Sequence, residues 1–221
     1  TLSDGRYRIG VHIAAPGWGI EHDSPLDRAA RERMSTVYMP GEKITMLPAE
    51  AVARYSLDAG RQVPALSLYA DLDESGCKVM ACHSQLEMIQ VAANLRHDQL
   101  DGVVTEEALE SPASEAGLAL AQALPQAPAL QVLWRLTLAL CAERERVRGK
   151  PEPRFRTDFS FYVEGETVRI VQRRRDAPLD RIVAELMILA NSRWGRVLAD
   201  HKTAGLYRSQ HELVLVFKNP G

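Results

Sequence analysis

The sequence is poor in the features that place many proteins in a class at once. Only three cysteines, Cys77, Cys82 and Cys141, occur in 221 residues. This odd and sparse set excludes a disulfide framework and fits a reducing compartment, where thiols act as small apolar residues. Neither charge sign dominates. With 27 Lys+Arg against 29 Asp+Glu the formal net charge is -2, so the chain as a whole carries no polyanion-binding signature. Charged residues interrupt every apolar run well before the ~20 residues that span a bilayer. The start, Thr1-Leu2-Ser3-Asp4, has neither a basic n-region nor an apolar h-region. The expectation is a cytoplasmic protein with no membrane partner. There is no internal repeat and no low-complexity tract. What is there is an ordinary globular composition, 46% hydrophobic and 25% charged, long enough to build a core without disulfide or metal staples.

Tyr7, Ile9, Val11 and Ile13 alternate with Arg8, Gly10 and His12, the pattern of a strand with one buried face. Ser24-Pro25-Leu26-Asp27 reads as a capping box opening a short helix to about Met34. Residues 35–48 read as irregular, with a turn at Met39-Pro40-Gly41, and one or two helical turns follow from Ala49 to Arg54. Gln62 to Asp71 and Cys77 to Val91 read as a hairpin. Cys77, Cys82 and His83 are set aside as a metal site, because the two thiols would face opposite sides of one strand. Thr105 to Ala127 suggests short helices and a mobile connection around Pro125 and Pro128. Long helices are expected at about Ala129 to Val147 and Pro178 to His201, with a hairpin between them and a last strand at His211 to Gly221. The fold class is α+β, a mixed, largely antiparallel sheet flanked by long helices.

The small net charge hides an asymmetry. Between Arg144 and Arg156 six Lys/Arg face two Glu, and Arg169, Arg173, Arg174, Arg175 and Arg181 follow, whereas Asp98 to Glu115 is acidic. An arginine run is ordinarily a solvated surface. Interleaving with Phe155, Phe159 and Phe161 adds the chemistry of a strand-binding groove, in which rings stack on bases and guanidinium groups neutralise phosphates.

The segments Tyr7-Arg-Ile-Gly-Val-His-Ile-Ala-Ala-Pro16, Gly19-Ile-Glu-His-Asp-Ser-Pro-Leu-Asp-Arg-Ala-Ala-Arg31, Ser35-Thr-Val-Tyr-Met-Pro-Gly41 and Ile44-Thr-Met-Leu-Pro48 resemble, in order and spacing, the RNB catalytic domain of the RNase II/RNase R exoribonucleases. The resemblance continues through Arg181-Ile-Val-Ala-Glu-Leu-Met-Ile-Leu-Ala-Asn191 to Leu206-Tyr-Arg208, with a weak match over about 100–149. It implies an RNB fold and 3′→5′ hydrolysis of single-stranded RNA to nucleoside 5′-monophosphates. It also implies Mg²⁺ held by an aspartate cluster, a hard cation with oxygen ligands. No nicotinamide, flavin or haem cofactor is implied. The family's aspartate motif lies just before the strand that begins here at Tyr7, and its arginine-rich segment and catalytic glutamate would follow Arg208. Residues 1–221 are therefore expected to be a partial RNB domain, inactive alone, without its own complete metal site and without catalytic residues.

Carried over residue by residue, the resemblance makes Tyr38 the ring that holds the 3′-terminal nucleotide, the bland alternative being a half-buried loop tyrosine. Phe155 corresponds to the aromatic that stacks the last bases, against ordinary core packing, with Phe159 and Phe161 open as substitutes in the alignment. Glu185 matches the second member of a family Glu-Glu pair and is either an RNA contact or the structural partner of an arginine; Ala184 replaces the first member. Asn191 and Arg208 match groove positions, and Arg208 either binds phosphate or braces its loop. Asp27 is explained by helix capping, and His12 by a satisfied surface histidine. Ala15 stands where RNase II and RNase R carry an aspartate. These departures sustain a second reading, a non-catalytic RNA- or protein-binding module on an RNB scaffold.

Overall fold

The computed structural model describes residues 1–152, 157–165, 167–174, 177–205 and 207. Phe155, Arg208 and the strand expected over 211–221 lie outside them. Strand β1 (Tyr7–Ala14) buries Ile9 and Val11, as its period-two pattern requires. It pairs with β4 (Gln62–Leu72), which pairs with β5 (Val79–Gln90), in a three-stranded sheet of order β1-β4-β5. Val11 lies opposite Leu68, and Leu68 opposite Ser84. The β4–β5 turn is built by Asp73, whose carboxylate accepts the Cys77 and Lys78 amides at 3.0 and 3.1 Å. Cys77 therefore sits exposed in an Asx-type turn ahead of β5. The expected opposition of Cys77 and Cys82 across one strand does not arise.

Helices α6 (Ala127–Arg148) and α7 (Pro178–Asp200) cover the apolar face of the sheet. Leu136 from α6 and Leu189 and Ala190 from α7 pack with Ile9, Val11, Leu68, Ala70 and Leu72. The Trp194 indole N–H donates to Ser84 Oγ at 2.9 Å and ties α7 to β5. A second core gathers α4 (Glu106–Glu110) and α5 (Glu115–Ala123) against α6, with Ala108, Leu109, Leu120 and Leu130 around a fully buried Trp134. Thr105 and Ser114 cap α4 and α5 by accepting the Ala108 and Gly117 amides, both at 3.1 Å. The mobile connection expected around Pro125 and Pro128 is instead packed. Leu124 and Ala127 are buried, and Pro128 occupies the first turn of α6, where a missing N–H is tolerated.

The remaining elements lie at the periphery: α1 (Pro25–Arg33), α2 (Ala49–Tyr55), α3 (His97–Leu100), and two hairpins, β2 (Val37–Met39) with β3 (Glu42–Ile44) and β6 (Thr157–Glu164) with β7 (Thr167–Arg174). The hairpin at 37–44 replaces the irregular stretch expected there. The α+β class holds, and every strand pairing among the described residues is antiparallel. Among those residues no helix is long and apolar enough to cross a membrane.

Candidate functional site

The side hairpin β2–β3 presents Tyr38. Strand pleating places Val37, Met39, Glu42 and Ile44 on one face and Tyr38 with its register partner Lys43 on the other. Tyr38 is 79% exposed, so the ring stands free of the core and the half-buried alternative does not apply. Its base is braced: Thr36 Oγ1 accepts the Met46 amide at 3.2 Å, and Arg33 donates to the Thr45 carbonyl at 2.9 Å. Gly41 makes the turn at φ +78°, a left-handed conformation that glycine adopts without strain. A Cβ there would fall 3.0 Å from Val163 Cγ2, so the hairpin tip abuts the β6–β7 hairpin.

Helix α7 carries the other described candidates on different faces. Asn191 is exposed and shares its face with Ala184, seven residues earlier. Glu185 is buried at 6% exposure, where an unpaired carboxylate would be costly. Arg144 from α6 supplies the counter-charge: Nη2 donates to Glu185 Oε1 at 2.6 Å and Nη1 to Oε2. The guanidinium also meets Glu152. These hydrogen bonds, that to Glu185 first, hold the Arg144 pKa above its ordinary value despite partial burial. Between the two roles expected for Glu185, the geometry is that of the arginine partner. Sequence reasoning missed Arg144 as an individual. It stood only as one member of a basic run, and the signal that pointed to it was the carboxylate inside an apolar helix stretch.

On the sheet face away from α6 and α7, polar side chains gather around His12. His12 Nδ1 lies 2.7 Å from the buried Ser67 hydroxyl, and the ring meets Tyr69 edge-on at 5.6 Å. Tyr69 and Gln85 donate to Glu87 at 2.8 and 2.7 Å. Hydrogen bonds from Ser67 and then Tyr69 hold the Glu87 carboxyl below its ordinary range. His12 is thus a satisfied histidine, as expected.

Among the described residues, two groups of side chains bring ligand-type atoms within 4.8 Å of one another: His22, Asp23 and Asp27, and Cys141, Glu152 and Glu185. Neither fits Mg²⁺. In the first, Arg31 already bonds both carboxylates, reaching Asp27 Oδ2 at 2.7 Å, and Asp27 also accepts the Asp23 amide at 2.8 Å beside the Ser24 cap of α1. In the second, Arg144 fills the space between the carboxylates, and a thiol is a poor partner for a hard cation. Asp4 is paired with Arg6 at 2.6 Å.

A three-stranded antiparallel sheet backed by two long helices, with a solvent-facing tyrosine on a side hairpin, defines an α+β domain. The family model described as RNB domain matches residues 1–215, and the chain belongs to that family. It is 33% identical over 208 residues to Exoribonuclease 2 of Cronobacter sakazakii, which covers 94% of this chain and 31% of the relative. The chain thus spans about a third of the length of that relative. In fold it is similar to Mycoplasma genitalium RNase R, solved in complex with double-stranded RNA, with TM-score 0.69, 19% identity and coverage of 89% of this chain and 33% of that one. It is also similar to yeast Ssd1, a pseudonuclease, with TM-score 0.52, 24% identity and coverage of 69% and 16%.

Proposed function

We propose that this chain is the RNA-gripping part of an RNB-type 3′→5′ exoribonuclease that hydrolyses single-stranded RNA to nucleoside 5′-monophosphates in the cytoplasm. The observation that carries the reading is Tyr38: an aromatic ring at 79% exposure on a braced hairpin, inside the family motif. A ring so placed stacks on a terminal base of any sequence, which suits a nuclease that must accept any RNA. Lys43, opposite Tyr38 in register, brings a cation to the same face for the adjoining phosphate. Asn191 faces solvent on α7 as a further groove contact. Phe155 and Arg208 are assigned base stacking and phosphate binding from the motif alone. Glu185 is not assigned an RNA contact, because Arg144 takes both of its oxygens. Mg²⁺ is proposed as the cofactor of the complete enzyme. Neither acidic group among the described residues fits it, because Arg31 and Arg144 occupy their carboxylates.

The test uses the chain with 5′-labelled single-stranded RNA and Mg²⁺. Retention of the single strand over a duplex of the same sequence, lost in Tyr38→Ala, is the expected result. Equal or absent binding of both overturns the assignment. The second reading, binding without cutting, is favoured by Ala15 and Ala184. Release of 5′-monophosphates by the longer protein would exclude it.

A further inference from the structure

Among the described residues, three that are not glycine have positive φ: Asp23, Met34 and Lys202. Asp23 is held by its own contacts, its carbonyl accepting from Arg28 and its carboxylate from Arg31. Lys202 lies in the hydrogen-bonded turn that closes α7. Met34 is different. With φ 57° and ψ −31°, and with the Ser35 amide donating to the Arg33 carbonyl at 2.7 Å, it is the centre of a γ-turn of the rare, strained hand. Its amide also donates to the Ala30 carbonyl at 2.8 Å and ends α1, a task that glycine performs without strain. Packing does not account for the methionine either, because at 80% exposure it is the most exposed large apolar side chain among the described residues.

The next most exposed is Tyr38, at 79%. The two lie four residues apart on a segment fixed to the end of β3, since Arg33 donates to the Thr45 carbonyl and Thr36 Oγ1 accepts the Met46 amide. Four residues of chain reach at most about 14 Å, so a base lying on the Tyr38 ring is within the combined reach of both side chains. Strain held at an exposed position points to a ligand contact rather than to stability. We propose that Met34 is a second binding residue for the terminal nucleotide, its thioether closing over the base that stacks on Tyr38. That role rests on the reading of Tyr38 as the base-stacking ring. An unbranched, polarizable thioether meets aromatic rings at about 5 Å and adapts to their outline. It therefore adds contact area without reading sequence, and the γ-turn is what holds it out of the protein.

The experiment uses the 221-residue chain and a 5′-fluorescein oligoadenylate of about ten nucleotides with a free 3′ end. Dilute hydrogen peroxide converts exposed methionines to sulfoxides, which peptide mass spectrometry counts. Saturating RNA should slow oxidation of Met34 at least about threefold and leave Met80 and Met88, at 55% and 53% exposure on β5, unchanged. Met34→Gly removes the side chain and the strain together. Its melting midpoint should rise by about 2 °C, while its affinity falls at least about threefold, as expected for a lost sulfur–aromatic contact. Met34→Leu keeps the apolar reach and should bind within about twofold of the parent. Equal oxidation of Met34 with and without RNA, or a Met34→Gly protein that binds as the parent does, would overturn the proposal. A fall of midpoint and affinity together would also overturn it, by making Met34 a structural residue. Tyr38→Ala separates the two readings. If it too binds like the parent, the stacking reading fails and takes Met34 with it; lost binding in Tyr38→Ala beside full binding in Met34→Gly strikes Met34 alone.

Discussion

The Arg181 guanidinium lies 4.8 Å from the Trp134 ring centroid and donates to Glu106 at 3.1 Å, while the Trp134 indole N–H donates to Glu110 at 3.1 Å. Through this pair α7 is tied to α6 and both to α4, within and beside the stretch of about 100–149 that resembles the family weakly. Trp134 is wholly buried among Ala108, Leu109, Leu120 and Leu130. Trp134→Ala is expected to cost about 3–5 kcal/mol in urea unfolding, the range for deleting a large core aromatic. Arg181→Met keeps the packing stem and should cost only about 0.5–2 kcal/mol, the worth of a cation–π contact. Equal costs for the two would contradict this division.

Gly41 and Gly60 separate two effects of adding a methyl group. Both have positive φ, +78° and +81°, but only Gly41 faces a neighbour, with Val163 Cγ2 at 3.0 Å, while Gly60 has nothing within 4 Å. Gly60→Ala should therefore carry only the backbone penalty of about 1 kcal/mol. Gly41→Ala should carry that and also push the hairpin tip off β6–β7. Amide exchange over Val37–Ile44 is the measurement, and faster exchange is expected in Gly41→Ala than in the parent. Undisturbed exchange there would mean that Val163 yields without resistance.

What was legible in the sequence follows from how local each cause is. Strand β1, helix α1, the β4–β5 hairpin and both long helices are written in periodicity and caps confined to a few neighbouring residues, and all appear close to their expected bounds. The hairpin β2–β3 escaped because three-residue strands carry too little alternation to read, although its Pro-Gly turn was visible. The packing of Leu124 and Ala127 escaped because it depends on α4 and α5 closing over α6, a tertiary event. At the site, Tyr38 was legible as a motif residue. The burial of Glu185 was legible only as a question, since its answer, Arg144, lies 41 residues away.

Polar side chains on the sheet face away from α6 and α7 set a pH dependence. The Asp71 carboxyl is held below its ordinary range by its bidentate pairing with Arg8, at 2.6 and 2.9 Å, and Glu87 by its hydrogen bonds from Ser67 and Tyr69. A carboxylate whose folded pKa is depressed binds protons more readily in the unfolded chain. Its stabilisation is complete above the unfolded value of about 4 and is lost as pH falls through the folded value. Thermal melts from about pH 7 down to pH 3 should show the midpoint falling mainly below about pH 5. Glu87→Gln cannot ionise and should make that fall shallower. An identical acid slope in Glu87→Gln would show that its hydrogen bonds contribute no such linkage.

Tyr38 allows stability and binding to be read apart. At 79% exposure its ring stabilises little, and Tyr38→Ala should leave the unfolding free energy within about 0.5 kcal/mol of the parent. A ring that stacks on a base contributes about 1–3 kcal/mol to binding, so the same variant should weaken single-stranded RNA binding by roughly 5- to 150-fold. Tyr38→Phe keeps the stacking face and should retain most of the affinity, which separates stacking from a role of the hydroxyl. Lys43→Gln, across the hairpin, removes a charge and should lower the salt dependence of binding by about one counterion. Anisotropy titrations at several salt concentrations measure all three variants. A Tyr38→Ala protein that folds normally and binds RNA as the parent does would remove the hairpin from the interface.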